Sequence, residues 1–399
     1  MTARRPVSEL PSHRTCRARR PIVAGILAVA LLFATGCRGA PFDLGLSLAV
    51  AGEDDGGDAA GALGGSRYLL FEGGSDVTTV LDTATMTFSP GPTPPQSIII
   101  GDFHLIGAGP RAGQYLLNSI SSNTLWFDPS GGPFGSFTAG PALSLPYGSN
   151  AMSFAISGGG PLDGGVFFFA GSGSATTDTF DPFGGLVSGP SAPITSAGPG
   201  SHALFIGAAG GPYDNTHIFL LNGNTDTMVY DPSIPDFLMP SPTLPASGPG
   251  DGAHTFKRSD GTFLTVLGGG TTSVVSFDPV AGTFSAEPAW PCAADSGAHT
   301  ARLTTGTSEF LSICGGNSDQ TVLYDDDADT AVAGTPLTDS ADSGALTIRL
   351  TDGPEAGKLL IVHAGNRDTT TLLEGDGSAS APGPTTTVPI NIATVLKLN

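Results

Sequence analysis

The most constraining feature of this sequence is a short pattern that returns about every fifty residues. Its clearest copy is VVSFDPVAGTFSAEP (274–288), in which Phe277, Asp278 and Pro279 lie between two short strand-like stretches. Seven copies carry an acid at the same point, namely Asp82, Asp128, Asp181, Asp231, Asp278, Asp325 and Glu374. The gaps between these acids are 46, 53, 50, 47, 47 and 49 residues. Such a period is typical of a β-propeller with one four-stranded blade per repeat.

Each repeat has room for four strands. An apolar stretch such as FLTVLGGG (263–270) precedes the acid, and a short stretch ending near proline follows it. A loop rich in Pro, Ser and Gly then leads to a strand of small and apolar residues. The first repeat begins at RYLLFEGG (67–74) without that last kind of strand, and the chain ends with one, NIATVLKLN (391–399). We therefore predict an all-β, seven-bladed propeller over 65–399, closed by its C-terminal strand.

The central acid of the pattern has an architectural explanation. An Asp followed by Pro favours a turn, because the carboxylate bonds to nearby backbone N–H groups and proline restricts φ. We expect Asp278 and Pro279 to set the turn that leads to the outer strand. We expect Phe277 to pack between blades.

The repeats resemble the kelch family. The resemblance is carried by glycine pairs after an apolar strand (Gly73–Gly74, Gly269–Gly270, Gly315–Gly316) and by the Tyr/Phe-Asp-Pro that follows. The glycine pair is degenerate in four repeats, and the tryptophan that the family has after Asp-Pro is absent here. The resemblance implies antiparallel four-stranded blades. The chain is also loosely similar to the propeller of galactose-oxidase-like enzymes, whose radical site requires a Cys crosslinked to Tyr together with further Tyr and His ligands.

The N-terminus has the layout of an export signal. Residues 1–20 are polar and basic, and residues 21–36 form an apolar run too short for a spanning helix. FATGC (33–37) resembles the bacterial lipobox, which implies lipidation of Cys37 after removal of 1–36. Cleavage by ordinary signal peptidase is the alternative. Residues 37–64 are predicted to be a flexible Gly/Ala/Asp-rich tether. The protein is thus expected in the cell envelope, as a periplasmic or surface-facing lipoprotein.

The charge of the mature chain excludes one class of partner. From Cys37 onward the chain carries 10 of its 16 basic residues and 35 of its 36 acidic residues, a net charge of −25. A body this acidic repels a phosphate backbone, so no nucleic-acid partner is expected. The charge favours solubility, and we expect a monomer that contacts the membrane only through its anchor.

Two pairs of residues are candidates for special roles. Cys292 and Cys314 are predicted to lie on the same face of one blade, and an oxidising compartment favours a disulfide between them over two buried thiols. His254 and His299 occupy matching positions in two GAHT sequences. They are weak candidates for metal ligands, because no third ligand accompanies them, and packing roles are the alternative. We expect no cofactor.

An acidic segment and three loop residues complete the candidates. DDDADT (325–330) lacks the spacing of a calcium loop and is interpreted as a solvated turn. Leu145, Tyr147 and Trp290 lie in loops between blades and are candidate binding anchors. Trp290 packing beside Cys292 is the alternative. The sequence favours a non-enzymatic module that binds a protein or a glycan, and a metal-dependent or galactose-oxidase-like enzyme with a site at the channel mouth is the second hypothesis.

Overall fold

The computed structural model describes residues 66–398 except 74, 98–101, 119–121, 145, 147–150, 171–173, 194–196, 304–307 and 392. The signal segment 1–36, Cys37, the 37–64 tether, Leu145 and Tyr147 lie outside the described residues. Among those that are described, one short 3₁₀ helix (Gly109–Arg111) is the sole helix. No described helix has the length and apolar character that crossing a membrane requires.

The strands form seven antiparallel four-stranded sheets, which are the blades of a β-propeller. Blade 1 contains β1 (Arg67–Glu72), β2 (Thr78–Asp82), β3 (Thr87–Pro90) and the last strand, β28 (Ala393–Leu398). Blade 2 contains β4 (Phe103–Leu105), β5 (Tyr115–Leu117), β6 (Asn123–Asp128) and β7 (Ser136–Ala142). Blade 3 contains β8 (Met152–Ala155), β9 (Val166–Phe169), β10 (Thr177–Asp181) and β11 (Gly185–Ser188).

The remaining blades repeat this order. Blade 4 contains β12 (His202–Ile206), β13 (Thr216–Leu220), β14 (Met228–Asp231) and β15 (Asp236–Leu238). Blade 5 contains β16 (His254–Lys257), β17 (Phe263–Val266), β18 (Val274–Asp278) and β19 (Thr283–Glu287). Blade 6 contains β20 (His299–Arg302), β21 (Glu309–Ile313), β22 (Thr321–Asp325) and β23 (Thr330–Ala333). Blade 7 contains β24 (Leu346–Arg349), β25 (Leu359–Val362), β26 (Thr370–Leu373) and β27 (Ser380–Pro382).

The predicted closure by the C-terminal strand is confirmed. β28 pairs antiparallel with β1 from Arg67↔Leu398 to Glu72↔Ala393, so the two ends of the chain share one sheet. A side-chain contact joins blades 7 and 1 beside this sheet: the Asp352 carboxylate accepts from the Ser66 N–H at 2.8 Å and from its hydroxyl at 2.6 Å. Closure in this way leaves neither terminal blade with an unpaired inner edge.

The recurring acid acts as expected at the turn between the third and fourth strands. Asp278 Oδ1 accepts from the N–H of Val280 at 2.8 Å and of Ala281 at 3.1 Å. Equivalent bonds to the residue two positions on are made by Asp82, Asp128, Asp181, Asp231 and Asp325. Phe277 is fully buried in a cluster that combines residues of blades 4 and 5. The motif is therefore architectural.

A second repeated contact explains why many fourth strands end in glycine. In six blades a threonine at or beside the start of the third strand donates through Oγ1 to a backbone carbonyl at or just after the end of the fourth strand, at 2.5 to 2.8 Å. In five of these blades a Cβ on the glycine there would lie 2.2 to 2.4 Å from the threonine Oγ1, at Gly91, Gly140, Gly189, Gly334 and Gly383. In these five blades only glycine leaves room for the bond, whereas blade 4 makes it beside Ser241.

Candidate functional site in the central channel

The first strand of each sheet borders the central channel. These channel strands are β28, β4, β8, β12, β16, β20 and β24 in blades 1 to 7. They approach one another between neighbouring blades, as β4 does β8 and β16 does β20. We call the end of the channel where they begin the loop face, because loops from the preceding blades arrive there. The opposite end, where the hairpins turn, is the hairpin face.

Strand pairing gives each channel strand a common numbering. We number each channel strand from its end at the loop face. Position 1 is the residue that pairs with the corresponding residue of the second strand in every blade. Position 1 is Thr394, Asp102, Met152, His202, His254, His299 and Leu346 in blades 1 to 7. Position 5 then carries the N–H that closes the first hairpin of five blades, at Ile106, Ile156, Arg258, Leu303 and Leu350. Position 4 lies about 10 Å further along than position 1.

Side chains alternate between the two seams of a blade. Odd positions face the next blade: Phe256, at position 3 of blade 5, lies 4.6 Å from Phe310 of blade 6, measured between ring centroids. Even positions face the preceding blade: Phe103, at position 2 of blade 2, lies 4.5 Å from Phe71 of blade 1. Each seam therefore joins position 1 of one blade to position 2 of the next.

Three consecutive seams are closed by a histidine and a threonine. The Nε2 atoms of His202, His254 and His299 lie 2.7, 2.8 and 2.8 Å from Oγ1 of Thr255, Thr300 and Thr347. Each Nδ1 lies 2.8 to 2.9 Å from a backbone carbonyl two residues earlier. Since a carbonyl only accepts, Nδ1 carries the proton in all three rings. The three imidazoles thus bind neighbouring blades together.

This arrangement changes the interpretation of His254 and His299. The sequence allowed both to point into one space, but each faces its own seam and uses both ring nitrogens there. Burial lowers the pKa of His299 to about 4 and that of His254 to about 3. In the described part of the chain, no three His, Cys, Asp or Glu side chains converge on a position for a metal ion.

The seam between blades 2 and 3 contains a different polar group, which sequence reasoning missed. Asp102 takes position 1, and its Oδ2 accepts from Ser153 Oγ at 2.8 Å and from the Ser153 N–H at 3.2 Å. His104 Nε2 lies 2.7 Å from the same Oγ, and Asn118 Nδ2 donates to it at 3.0 Å. Aligning the seven channel strands in the sequence would have shown an acid where three blades have histidine.

The proton inventory of this cluster argues against an activated serine. The single Ser153 proton goes to the Asp102 carboxylate, so His104 Nε2 must itself donate to Oγ. A catalytic serine needs the opposite arrangement, with the imidazole accepting its proton and an acid orienting the imidazole. Burial raises the pKa of Asp102, against the effect of its hydrogen bonds, and burial lowers the pKa of His104 to about 3. The cluster satisfies buried polar groups within a seam.

Position 4, near the hairpin face, divides the channel into two sectors. Blades 5, 6, 7 and 1 carry a cation there: Lys257, Arg302, Arg349 and Lys397. Blades 2, 3 and 4 carry an apolar residue: Leu105, Ala155 and Phe205. Single cations and single apolar residues gave no signal in the sequence, because their alignment depends on strand register.

The candidates in blade 6 are structural. Cys292 and Cys314 are joined in a disulfide with Cα atoms 6.3 Å apart, which ties the loop before β20 to the end of β21. Trp290 is only 5% exposed and stacks on Tyr324 at 6.1 Å between centroids. Trp290, named above as a candidate binding anchor, is therefore buried, and it packs in one cluster with Cys292 as the alternative had it. The indole is buried because aromatic residues of two blades surround it.

The acidic segment 325–330 forms the expected turn, with residues 327–330 exposed, but one of its acids is not solvated. Asp326 is buried and pairs with Arg258 of blade 5 at 2.5 Å, and Asp329 lies 3.2 Å from the same guanidinium. Burial would raise the pKa of Asp326, but hydrogen bonds from Arg258 and from the Ser259 N–H outweigh it and hold the pKa below its ordinary value. The two ion pairs with Arg258 therefore join this segment of blade 6 to blade 5.

Comparisons with known proteins identify the fold. No family model and no curated protein matches the chain. The chain is similar in structure to a candidate 6-phosphogluconolactonase of Bacteroides fragilis, with TM-score 0.54 and 12% identity over 86% of this chain and 100% of that one. It is also similar to a fungal alcohol oxidase of the AA5 family in complex with copper, with TM-score 0.51 and 14% identity over 74% and 68% of the two chains. At this identity the likeness concerns the seven-bladed propeller alone.

Proposed function

We propose that this chain is an exported, lipid-anchored binding propeller of the cell envelope, of kelch-like type, which holds a protein or a glycan on its loop face and catalyses no reaction. The observation that carries the proposal is the way the loop face is built. Recognition surfaces are commonly loops held by a rigid scaffold, and here backbone contacts join the loops to one another and to the channel strands.

The loops of consecutive blades are in backbone contact. A Cβ at Gly252 would lie 2.0 Å from the Asp295 carbonyl oxygen, and a Cβ at Gly297 would lie 2.0 Å from that of Asp342. Each of these glycines has φ in the left-handed region. The same loops supply the carbonyls that orient His254 and His299. From blade 5 to blade 7 the loops are thus connected, which suits a preformed binding surface.

The export and anchoring part of the proposal rests on the sequence. The basic segment, the apolar run and FATGC before Cys37 support a lipoprotein, and the acidic composition from Cys37 onward suits an extracytoplasmic soluble body. The disulfide in blade 6 agrees with an oxidising compartment. An enzyme with a site at the channel mouth is less well supported, because the imidazoles there are used to join blades.

A matched pair of variants in blade 6 tests the binding surface. Ala293 is exposed on the loop face, and Val332 is exposed on the outer strand β23. Full-length chain is immobilised and exposed to solubilised envelope proteins and, separately, to purified envelope polysaccharide. We expect Ala293→Arg to reduce retention of the bound fraction about tenfold, and Val332→Arg to leave it unchanged. Equal retention by both variants would refute binding through the loop face.

The anchor is tested separately. Cells expressing the chain are fed an alkyne-tagged fatty acid, and we expect the wild type to incorporate the label and Cys37→Ser to lose it. Label in the Cys37→Ser variant, or none in the wild type, would contradict the lipid anchor without bearing on the loop face.

A further inference from the structure

Exposed apolar side chains are concentrated on one side of the propeller. Nine large apolar side chains are exposed among the described residues, and six of them belong to blades 3, 4 and 5. These six are Phe183, Val187, Phe205, Ile234, Met239 and Val280. The other three are scattered over blades 1, 2 and 6: Val77, Leu105 and Val332. Single exposed apolar residues are ordinary on soluble proteins, whereas a group in consecutive blades indicates a contact surface.

Three of the six occupy equivalent turns at the hairpin face. Phe183, Ile234 and Val280 follow the Asp-Pro that turns the third strand into the fourth in blades 3, 4 and 5, and they are 76%, 58% and 61% exposed. In the other four blades the residue two positions after the acid is small or polar: Ala84, Ser130, Asp327 and Asp376. Three consecutive blades thus present apolar turns, and the other four do not.

The three apolar turns are held in place by their own acid and by the preceding blade. Asp181 Oδ1 accepts from the Phe183 N–H at 2.9 Å, and Asp278 Oδ1 accepts from the Val280 N–H at 2.8 Å. A Cβ on a glycine in the first hairpin of the preceding blade would lie 1.8 to 2.2 Å from the carbonyl oxygen of the turn proline, and the pairs are Gly109 and Pro182, Gly160 and Pro232, and Gly211 and Pro279. Because these contacts repeat from blade to blade, the three turns lie at one level of the hairpin face.

The chain enters the propeller at the same face. β1 begins at Arg67 opposite the end of β28, and the Ser66 N–H and hydroxyl bond to Asp352 in the first hairpin of blade 7. The predicted tether, 37–64, therefore meets the folded body at the hairpin face. A flexible tether of 28 residues has an r.m.s. span of about 30 Å. Such a tether keeps the hairpin face near an anchor at Cys37 but does not fix the orientation of the body.

The charges beside the apolar turns exclude an anionic surface as the partner. Two cations, Lys257 and Arg258, lie at the hairpin face of blades 3 to 5, and Arg258 is paired with acids of blade 6. Seven acids lie there, and each accepts a nearby backbone N–H: Asp163, Asp181, Asp214, Asp231, Asp236, Asp260 and Asp278. These hydrogen bonds leave the negative charge in place, so an anionic surface is repelled. The surface that fits is apolar and carries no net charge.

We propose that the hairpin face of blades 3 to 5 rests on a bilayer of zwitterionic lipid, with Phe183, Ile234 and Val280 among the headgroups. The inference rests on the proposed lipid anchor, since a short tether holds the face near the bilayer at an effective concentration of about millimolar, where weak apolar contacts are enough to orient the body. The acids beside the turns keep the contact shallow. The loop face is then directed away from the membrane, toward its own partner, and contact with the membrane is broader than the anchor alone.

Quenching of tryptophan fluorescence by brominated lipid tests this contact in the full-length chain. Phe183→Trp is compared with Ala84→Trp, the same turn of blade 1, and with Val77→Trp on the loop face. The two native indoles are both 5% exposed and give every variant the same background. We expect the emission of Phe183→Trp to fall about twofold on brominated phosphatidylcholine vesicles, and that of the other two variants to fall much less. Equal quenching of Phe183→Trp and Ala84→Trp, or none of Phe183→Trp, would overturn the proposal.

The chain is held on the vesicles in a way that does not depend on lipidation. β28 also ends at the hairpin face, so a histidine tag after Asn399 and a nickel-chelating lipid hold the same face near the bilayer. Failure of the proposed anchor would appear as loss of the fatty-acid label at Cys37, and quenching of Phe183→Trp in the tagged chain would be unaffected by it. The two proposals can therefore fail separately.

A second set of variants separates the apolar contact from the effect of tethering. Ile234→Ser with Val280→Ser removes the other two apolar turns from the Phe183→Trp chain, and we expect quenching to be about threefold weaker. Val332→Ser is the matched control, since Val332 is 56% exposed on the outer strand of blade 6. Replacing part of the phosphatidylcholine by phosphatidylglycerol is expected to weaken quenching as well. Unchanged quenching in the double serine variant, or quenching that increases with phosphatidylglycerol, would overturn the proposal.

Discussion

The seams on the two sides of the propeller solve one packing problem with different chemistry. At the three seams between blades 4 and 5, 5 and 6, and 6 and 7, position 1 is histidine and position 2 of the next blade is threonine. Between blades 2 and 3 the same two positions hold Asp102 and Ser153. Two further seams are apolar, where Met152 packs with Ala203 and Leu346 with Val395. The same backbone geometry therefore accommodates any pair of side chains whose hydrogen bonds are satisfied within the seam. The chemistry of the pair then determines how the stability of the seam depends on pH.

The largest expected effect is the acid sensitivity of the histidine seams. Burial lowers the pKa of His202 and His299 to about 4 and that of His254 to about 3, against 6.5 for the free side chain. Above pH 6.5 these rings are neutral in both states. As the pH falls below 6.5 only the unfolded chain takes up the protons, so the free energy of unfolding decreases by about 2 kcal/mol per histidine by pH 5. Urea unfolding at pH 7 and pH 5 measures this.

The acidic seam has the opposite sign. The pKa of Asp102 is raised by burial, so its protonation favours the folded state as the pH falls through that pKa toward the ordinary value of 3.8. NMR titration of the two seams separates the effects. An imidazole of His254 that titrates near pH 6.5 in the folded protein would contradict the seam geometry.

Truncation of Asp102 is expected to have the next largest effect. Asp102→Ala leaves the Ser153 hydroxyl and N–H without their acceptor and lowers the free energy of unfolding by about 2–3 kcal/mol. Asp102→Asn retains an acceptor for Ser153 and removes a desolvated charge, so it costs less than about 1 kcal/mol. Chemical denaturation of both variants at pH 7 tests this order. An equal loss in the two variants would mean that the charge itself, rather than the acceptor, holds this seam.

Converting a polar seam to an apolar one is expected to have the smallest net effect. His299→Leu alone leaves Thr347 and the Gly297 carbonyl without their hydrogen-bond partner and lowers the free energy of unfolding by about 1–2 kcal/mol. Adding Thr347→Val reproduces the Leu–Val pair of the seam between blades 7 and 1, and we expect it to restore most of that loss. A double-mutant cycle measures the coupling. Additive losses would show that the two side chains act independently.

The sequence predicted the fold in detail because its signals are local and repeated. The Asp-Pro turn, the apolar second strand and the terminal half-blade each depend on residues within one repeat or on the ends of the chain. Asp278 and Phe277 have the roles expected of them. The threonine that bonds across the end of the fourth strand was missed, although the glycines beside it recur visibly in the sequence.

The sequence by itself therefore determined the number of blades, their order and the closure of the ring. Only the tertiary structure decided that Trp290 is buried, that His254 and His299 face separate seams, and that four distant cations share one level of the channel. The reason is physical. The direction of a side chain on a channel strand is set by a two-residue alternation, and its partner belongs to a blade about fifty residues away. Neither the register nor that partner is encoded within one repeat.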